Sequence, residues 1–207
     1  MKKILIIAGI IAVMLGVGAI TVVSNYGIRK NDVLERLTPA IIYKSDTRVF
    51  EIEATGDPNK NAAAAFSMLM YAYFRIKDTP RGANLEVPRA RWPKPQDTPK
   101  DEWVGIYAIP IPHSVTSIPK VKSKNGLTLK IDKWTYGNVA EVLHVGPYSS
   151  EDTSIAKLQA FITEKGYEIC GPQEEEYLKS FGLFPVAPKN FLTIIRYQVC
   201  RKEGKAP

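Results

Sequence analysis

The chain has 207 residues, of which 45% are hydrophobic and 24% are charged, and its formal net charge at pH 7 is +7. These proportions exclude a disordered chain and are typical of a globular domain. The excess of lysine and arginine is spread along the chain without a nucleic-acid-reading motif, so we predict no nucleic-acid partner. A basic face beside an anionic membrane explains the charge more simply.

The N-terminus carries a strongly apolar segment. Lys2 and Lys3 precede a charge-free run at residues 4–23, and a helix of that length at ~1.5 Å per residue spans about 30 Å, a bilayer core. Residues 1–24 are predicted to be a signal anchor and transmembrane helix, with cleavage left open. The lysines would stay in the cytoplasm, so the protein would be single-pass with its domain on the extracytoplasmic side, periplasmic or external.

The rest of the chain divides into three parts. Residues 25–45 are predicted to be a juxtamembrane linker, residues 46–200 a globular domain and residues 201–207 a basic tail. Within the domain, Asp57 before Pro58 predicts a helix start, since an N-cap aspartate followed by proline favours one.

A proline-rich segment follows from residue 79 to residue 100. We interpret it as a long loop, and long loops within a domain often act as lids or binding loops. Trp92 lies in this segment and is predicted to be part of such a lid.

Residues 138–177 form the best-defined local unit. An apolar run at 139–145 predicts a strand buried on both faces, and Gly146 with the following proline ends it. Ser149 or Ser150 is predicted to cap the next helix, with Glu151 in its first turn, where the helix dipole favours anions.

This unit has an earlier counterpart. Gly56 and Gly146 each follow a strand and precede a helix, while Trp103 and Thr193 each open a later strand, and both pairs are ninety residues apart. The predicted fold is therefore α+β, with strand–helix–strand–strand units at about 46–112 and 127–200. We expect an antiparallel sheet and a central groove between the repeats.

Two cysteines occur, Cys170 and Cys200. If their segments form neighbouring antiparallel strands, the two Cα atoms come close enough for a disulfide. One step of register would separate them, so two reduced, buried thiols are the alternative. No spacing of Cys and His suggests a metal site, and we predict neither metal nor cofactor.

Several motifs of the second unit together resemble one family. They are Val139-Ala-Glu-Val-Leu-His-Val-Gly-Pro-Tyr148, Glu164-Lys-Gly-Tyr167 and Glu175-Glu-Tyr177. The chain resembles the GyrI-like small-molecule-binding domain, also called the effector-binding domain of bacterial transcription activators, in a membrane-anchored stand-alone form. The match is specific over 128–199 and weak over 46–112, and Gln198 replaces the usual proline. The resemblance implies a duplicated fold that binds small molecules.

Glu175 and Tyr177 are the main predicted site residues. They share one side of a strand, and the resemblance implies that this glutamate lies at the bottom of the ligand groove, facing aromatic cations. The alternative is that residues 174–176 form a solvated acidic edge. Groove walls are predicted from other aromatic residues, each of which is alternatively plain core: Trp103, Tyr107, Trp134, Tyr136 and Tyr148.

Three functions follow from these observations. The first is binding, without catalysis, of a small hydrophobic ligand, cationic or not, in the groove; a protein partner is also open. The second is hydrolysis of strained electrophiles, with Glu175 as base and Tyr177 or Tyr148 as hydrogen-bond donor. The third is a SOUL-type haem-binding protein, but His144 is predicted to be a satisfied strand histidine and His113 lies in a loop.

Overall fold

The computed structural model describes residues 35–94, 98–121, 123, 126–179 and 186–202. The apolar run at residues 4–23, predicted to be a transmembrane helix, lies outside these residues. Within them, neither helix has the length and apolar character needed to cross a bilayer.

The described residues form eight strands and two longer helices, joined by turns and short 3₁₀ segments. The elements in chain order are β1 (Ala40–Lys44), β2 (Thr47–Thr55), α1 (Pro58–Tyr73), β3 (Arg89–Trp92), β4 (Val104–Pro110), β5 (Leu129–Trp134), β6 (Gly137–Val145), α2 (Asp152–Glu164), β7 (Tyr167–Lys179) and β8 (Leu192–Arg201).

The strands make one antiparallel sheet in the order β1-β6-β8-β7-β3-β4-β2-β5. Each half of the chain supplies two strands, a helix and two strands. The halves meet at the centre, where β3 of the first half pairs with β7 of the second and Ala90 lies opposite Glu175. The predicted α+β fold, built from a duplicated unit, is therefore confirmed.

The two halves also exchange their outer strands. β1 pairs with β6 of the second half, and β5 pairs with β2 of the first. Only Ser45 and Asp46 connect β1 to β2, although these strands lie near opposite edges of the sheet. So short a link requires the sheet to curl until its two edges approach each other.

Two segments differ from the sequence prediction. Residues 40–44, assigned to the juxtamembrane linker, form edge strand β1, and the proline-rich segment assigned to a loop contains β3. Both strands are short and held by partners far along the chain. The sequence of β3, Arg-Ala-Arg-Trp, lacks the apolar pattern of a buried strand because its arginines pair with distant carboxylates.

The helices cover one face of the sheet, called here the helix face. α1 packs on β2 and β4, while α2 packs on β6, β7 and β8.

The start of α1 follows the prediction, since the Asp57 side chain accepts a hydrogen bond from the Asn59 backbone N–H at 3.0 Å. The predicted serine cap of α2 is wrong: Glu151 is the N-cap residue without a side-chain capping bond, and the Ser150 hydroxyl bonds to the Pro147 carbonyl instead.

The opposite face of the sheet buries an ion-pair network. Arg196 lies at its centre and contacts Glu141 at 2.7 Å, Glu174 at 2.7 Å and Glu176 at 3.0 Å. Burial raises the pKa of Glu176, but Arg89 and Arg196 outweigh burial and bring that pKa to about 2. The interpretation of residues 174–176 as a solvated acidic edge is wrong, since Glu174 is only 2% exposed.

A disulfide joins the ends of β7 and β8. Cys170 and Cys200 are bonded, with their Cα atoms 5.9 Å apart, and both residues are exposed at the surface. The bond closes a loop over a sequence separation of 30 residues.

Candidate functional site

The central strand pair lies between the two helices. Because α1 packs on the strands of the first half and α2 on those of the second, the helix-face side chains of β3 and β7 lie between the helices. This region, called here the groove, is defined by aromatic and acidic side chains: Phe66, Trp92, Tyr107, Tyr148, Glu151, Glu175 and Tyr177.

Glu175 lies in this groove and is 7% exposed. Its Oε1 accepts a hydrogen bond from the Gln173 amide at 2.9 Å, and its Oε2 accepts one from the Tyr177 hydroxyl at 2.8 Å. The three side chains meet because alternate residues of a strand project to the same face. Burial raises the pKa of Glu175, while the hydrogen bonds from Tyr177 and Gln173 oppose that rise. Glu175 therefore brings a carboxyl group into an apolar setting.

A second buried carboxyl group lies beside it. Glu151, the N-cap residue of α2, is 6% exposed. Burial first, and then the nearby charge of Glu175, raise the pKa of Glu151 to about 9. Sequence reasoning missed this residue, because an acidic residue at a helix start is usually a solvated partner of the helix dipole. The sequence carried no signal of its burial, which depends on packing against β7 and β8.

Among the described side chains, three buried polar atoms make no hydrogen bond: Trp92 Nε1, Glu151 Oε1 and Thr193 Oγ1. All three belong to the surroundings of Glu175. Trp92 is close enough to lower the pKa of Glu175, and Thr193 lowers that of Glu151, but neither contact reaches hydrogen-bond geometry. Buried polar groups are almost always paired, so this concentration of unpaired atoms makes the region the candidate site.

Aromatic rings form a continuous series around the two carboxyl groups. Consecutive ring centroids lie between 5.1 and 5.8 Å apart in the order Trp103, Trp92, Tyr107, Phe66, Tyr177, Tyr148 and Phe191. Four of the predicted wall and lid residues, Trp92, Trp103, Tyr107 and Tyr148, are thus brought together. Trp92 reaches the groove from strand β3 rather than from a lid loop.

Two other predicted wall residues lie elsewhere. Trp134 and Tyr136 are on the opposite face of the sheet, where the Arg91 guanidinium lies 4.0 Å from the Trp134 ring centroid and the Tyr136 hydroxyl bonds to Glu174 at 2.9 Å. The prediction that they are groove walls is therefore wrong. The reason is non-local: the curled sheet turns the β5–β6 connection onto the ion-pair network.

Neither histidine is among the side chains that define the groove, although His144 lies opposite Thr193 in the β6–β8 pair. His144 bonds through Nδ1 to the Ser154 hydroxyl at 2.9 Å and through Nε2 to the Pro147 carbonyl at 3.2 Å, so it holds the start of α2. His113 is exposed in a loop. In the described ranges, no three His, Cys, Asp or Glu side chains converge as metal ligands would.

The groove combines two features that attract a cation. A carboxyl group held among aromatic faces attracts a cation both by charge and through the rings, and each cation–π contact contributes about 0.5–2 kcal/mol. Unpaired buried atoms beside it can hydrogen-bond to a ligand.

Comparison with known proteins adds evidence on the fold. No protein-family model and no curated protein matches this chain. An uncharacterized conserved protein from Listeria innocua aligns with a TM-score of 0.65 and 20% identity, and a hydrolase from Listeria innocua with 0.64 and 18%; each alignment covers 80% of this chain and 93% of the other. The C-terminal domain of EcmrR aligns with a TM-score of 0.55 and 12% identity, covering 80% of this chain and 98% of that domain. At these identities the similarity shows the fold alone: the chain has the GyrI-like fold that its sequence motifs predict.

Proposed function

We propose that the chain binds a small aromatic cation in the groove between its two repeats. The observation that carries this proposal is Glu175, a buried carboxyl group surrounded by aromatic rings and by unpaired polar atoms. A buried carboxylate without a cationic partner is costly, and a bound cation offsets that cost. The resemblance of its motifs to effector-binding domains supports the same conclusion.

The binding proposal predicts that the charge of Glu175 matters only for charged ligands. At pH 8, 10-methylacridinium is a cation and acridine is neutral, while the ring system is the same. We expect Glu175→Gln to lower the affinity for 10-methylacridinium by at least about tenfold, or ~1.4 kcal/mol. The affinity for acridine should change by less than about threefold. Fluorescence titration measures both.

A matched control is Glu168→Gln, which makes the same change at an exposed position of the same strand. It should leave both affinities as they are. If Glu175→Gln lowers the affinities for acridine and 10-methylacridinium equally, Glu175 does not act by charge pairing with the ligand.

Hydrolysis of strained electrophiles is a second candidate function. Burial raises the pKa of Glu175, which makes its carboxylate a stronger base, and the Tyr177 hydroxyl donates a hydrogen bond to it. A hydrolase from Listeria innocua has the same fold. With styrene oxide as probe, wild type would form the diol faster than buffer and Glu175→Gln would not; turnover that survives the substitution excludes Glu175 as the base.

We further propose that residues 4–23 anchor the protein in a membrane with the domain on the extracytoplasmic side. Their length and the two preceding lysines support this orientation, and a surface disulfide is stable in an oxidising compartment. The full chain should stay with membranes after alkaline washing, and its domain should be cleaved by protease added from outside. Release by the alkaline wash would contradict the anchor.

A further inference from the structure

We infer that Glu151 is a second ligand-binding carboxyl group of the groove, and that it makes the site selective for cations that carry an N–H group. Protonated amines, amidines and protonated ring nitrogens belong to this class, whereas quaternary cations of the same shape do not. The inference names the ligand class of the site described above and therefore depends on the proposed function.

The two carboxyl groups differ in what they offer a ligand. Both oxygens of Glu175 already accept hydrogen bonds, from Gln173 at 2.9 Å and from Tyr177 at 2.8 Å. Glu175 thus supplies mainly charge. Glu151 keeps Oε1 unpaired while the residue is 94% buried, so Glu151 supplies a hydrogen-bond acceptor.

Glu151 places its carboxyl group beside the other groove residues. Thr193, which lies close to Glu151, is directly opposite Tyr177 in the β7–β8 pair. Tyr177 in turn bonds to Glu175. Glu151 therefore approaches Glu175 from the α2 side, near enough for the two carboxyl groups to interact electrostatically.

The other two unpaired atoms come from the strands on either side of β7. Trp92 Nε1 comes from β3, where Trp92 lies opposite Gln173, and Thr193 Oγ1 comes from β8. The groove thus presents an acceptor from the start of α2, an indole donor from β3 and a hydroxyl from β8. A ligand with an N–H group at its cationic centre pairs with the acceptor, and an oxygen or nitrogen atom at its edge pairs with the indole.

The selectivity follows from the cost of an unpaired buried group. Leaving a buried acceptor without a partner is energetically unfavourable. A ligand N–H removes this cost, because a carboxyl oxygen accepts it whether or not the group is ionised. An N-methyl cation has the same charge and stacks on the same rings, but covers Glu151 without a hydrogen bond.

Two dyes separate the contribution of the N–H hydrogen bond from that of charge and stacking. Acridine orange is protonated on its ring nitrogen at pH 7 and carries one N–H there, whereas 10-methyl acridine orange keeps the ring and the charge but has a methyl group instead. We expect wild type to bind acridine orange at least about tenfold more tightly. In Glu151→Leu the two dissociation constants should agree within about twofold. Glu164→Leu, an exposed position on the same helix, should keep the wild-type preference.

The outcomes distinguish this inference from the proposed function. Equal affinity of the two dyes for wild type, with both weakened in Glu175→Gln, would overturn the N–H selectivity and leave cation binding intact. A preference that persists in Glu151→Leu would show that the methyl group clashes with the site, which also overturns the inference. Failure of both dyes to bind wild type at 1 mM would reject the proposed function too. If circular dichroism shows that Glu151→Leu is unfolded, Glu151→Met replaces it with the same expected result.

Discussion

Glu151 and Glu175 are two acidic residues within one apolar site, and this pairing governs how the groove responds to pH. Two carboxylates in a low-dielectric setting repel each other, so one of them keeps its proton. Burial and the charge of Glu175 raise the pKa of Glu151 to about 9. At neutral pH we expect Glu151 to be protonated, with Asp152 on its own helix, Tyr177 on β7 and His144 on β6 as the other titratable groups near the start of α2.

The raised pKa of Glu151 predicts a stability that falls with rising pH. A glutamate in the unfolded chain ionises near pH 4.5, but folded Glu151 keeps its proton until about pH 9. The folded state binds more protons between these values, so this contribution is full below pH 4.5 and is lost towards pH 9. Glu151→Gln should be more stable than wild type by about 2–4 kcal/mol at pH 8, since each pKa unit corresponds to about 1.4 kcal/mol.

Urea unfolding of both proteins at pH 5, 6.5 and 8 measures this difference. The gap between Glu151→Gln and wild type should widen at each step, while Glu164→Gln should follow wild type throughout. A gap that is the same at all three pH values would show that the effect of the substitution comes from packing and not from ionisation.

At the scale of elements, β7 is the strand that joins the two chemical environments of the molecule. Its odd-numbered residues Glu175 and Tyr177 face the groove, and its even-numbered residues Glu174 and Glu176 face Arg196 in the ion-pair network. A register bulge between Ile169 and Gln173 interrupts its pairing with β8. Gly171 lies in this bulge, where any Cβ atom would come within 2.9 Å of the Gln198 Cβ.

The disulfide between β7 and β8 should stabilise the fold measurably. Closing a loop of this length removes conformational entropy from the unfolded chain that corresponds to about 3–4 kcal/mol at 25 °C. We therefore expect reduction to lower the melting temperature by about 10 °C for a domain of this size. Differential scanning calorimetry with and without reductant measures the shift.

The double variant Cys170→Ser, Cys200→Ser provides the control. It should melt near the temperature of the reduced wild type and show no response to reductant. Wild type that melts at the same temperature in both conditions, with no free thiols before reductant is added, would contradict a stabilising role for the bond.

At the scale of the whole molecule, neither repeat is complete alone. Each gives an outer strand to the other half, and β3 and β7 pair across the centre. The charges are shared in the same way: Arg89 and Arg91 come from the first repeat, whereas Glu174, Glu176 and Arg196 come from the second. Separation would leave buried charges unpaired, which costs about 3–5 kcal/mol for a broken buried pair.

This exchange predicts that the repeats fold only together. Residues 35–118 and 119–202, produced separately, should each lack a cooperative thermal transition by circular dichroism. An equimolar mixture should regain the transition and should bind 10-methylacridinium, because the groove contains Trp92 from one fragment and Glu175 from the other. A cooperative transition in either fragment alone would show that the exchanged strands are dispensable.

The sequence by itself determined the features that depend on local pattern. The ninety-residue repeat, the start of α1 at Asp57 and the shared side of Glu175 and Tyr177 all follow from caps, breakers and a period of two residues, because neighbours along the chain set them. The tertiary structure alone decided which polar residues are buried. The sequence indicates a solvated helix start at Glu151 and a loop where β3 lies. It also predicts Trp134 and Tyr136 to be groove walls. Their actual positions depend on partners far along the chain, since a charged or aromatic side chain is buried only where the fold supplies something to pair or pack with it.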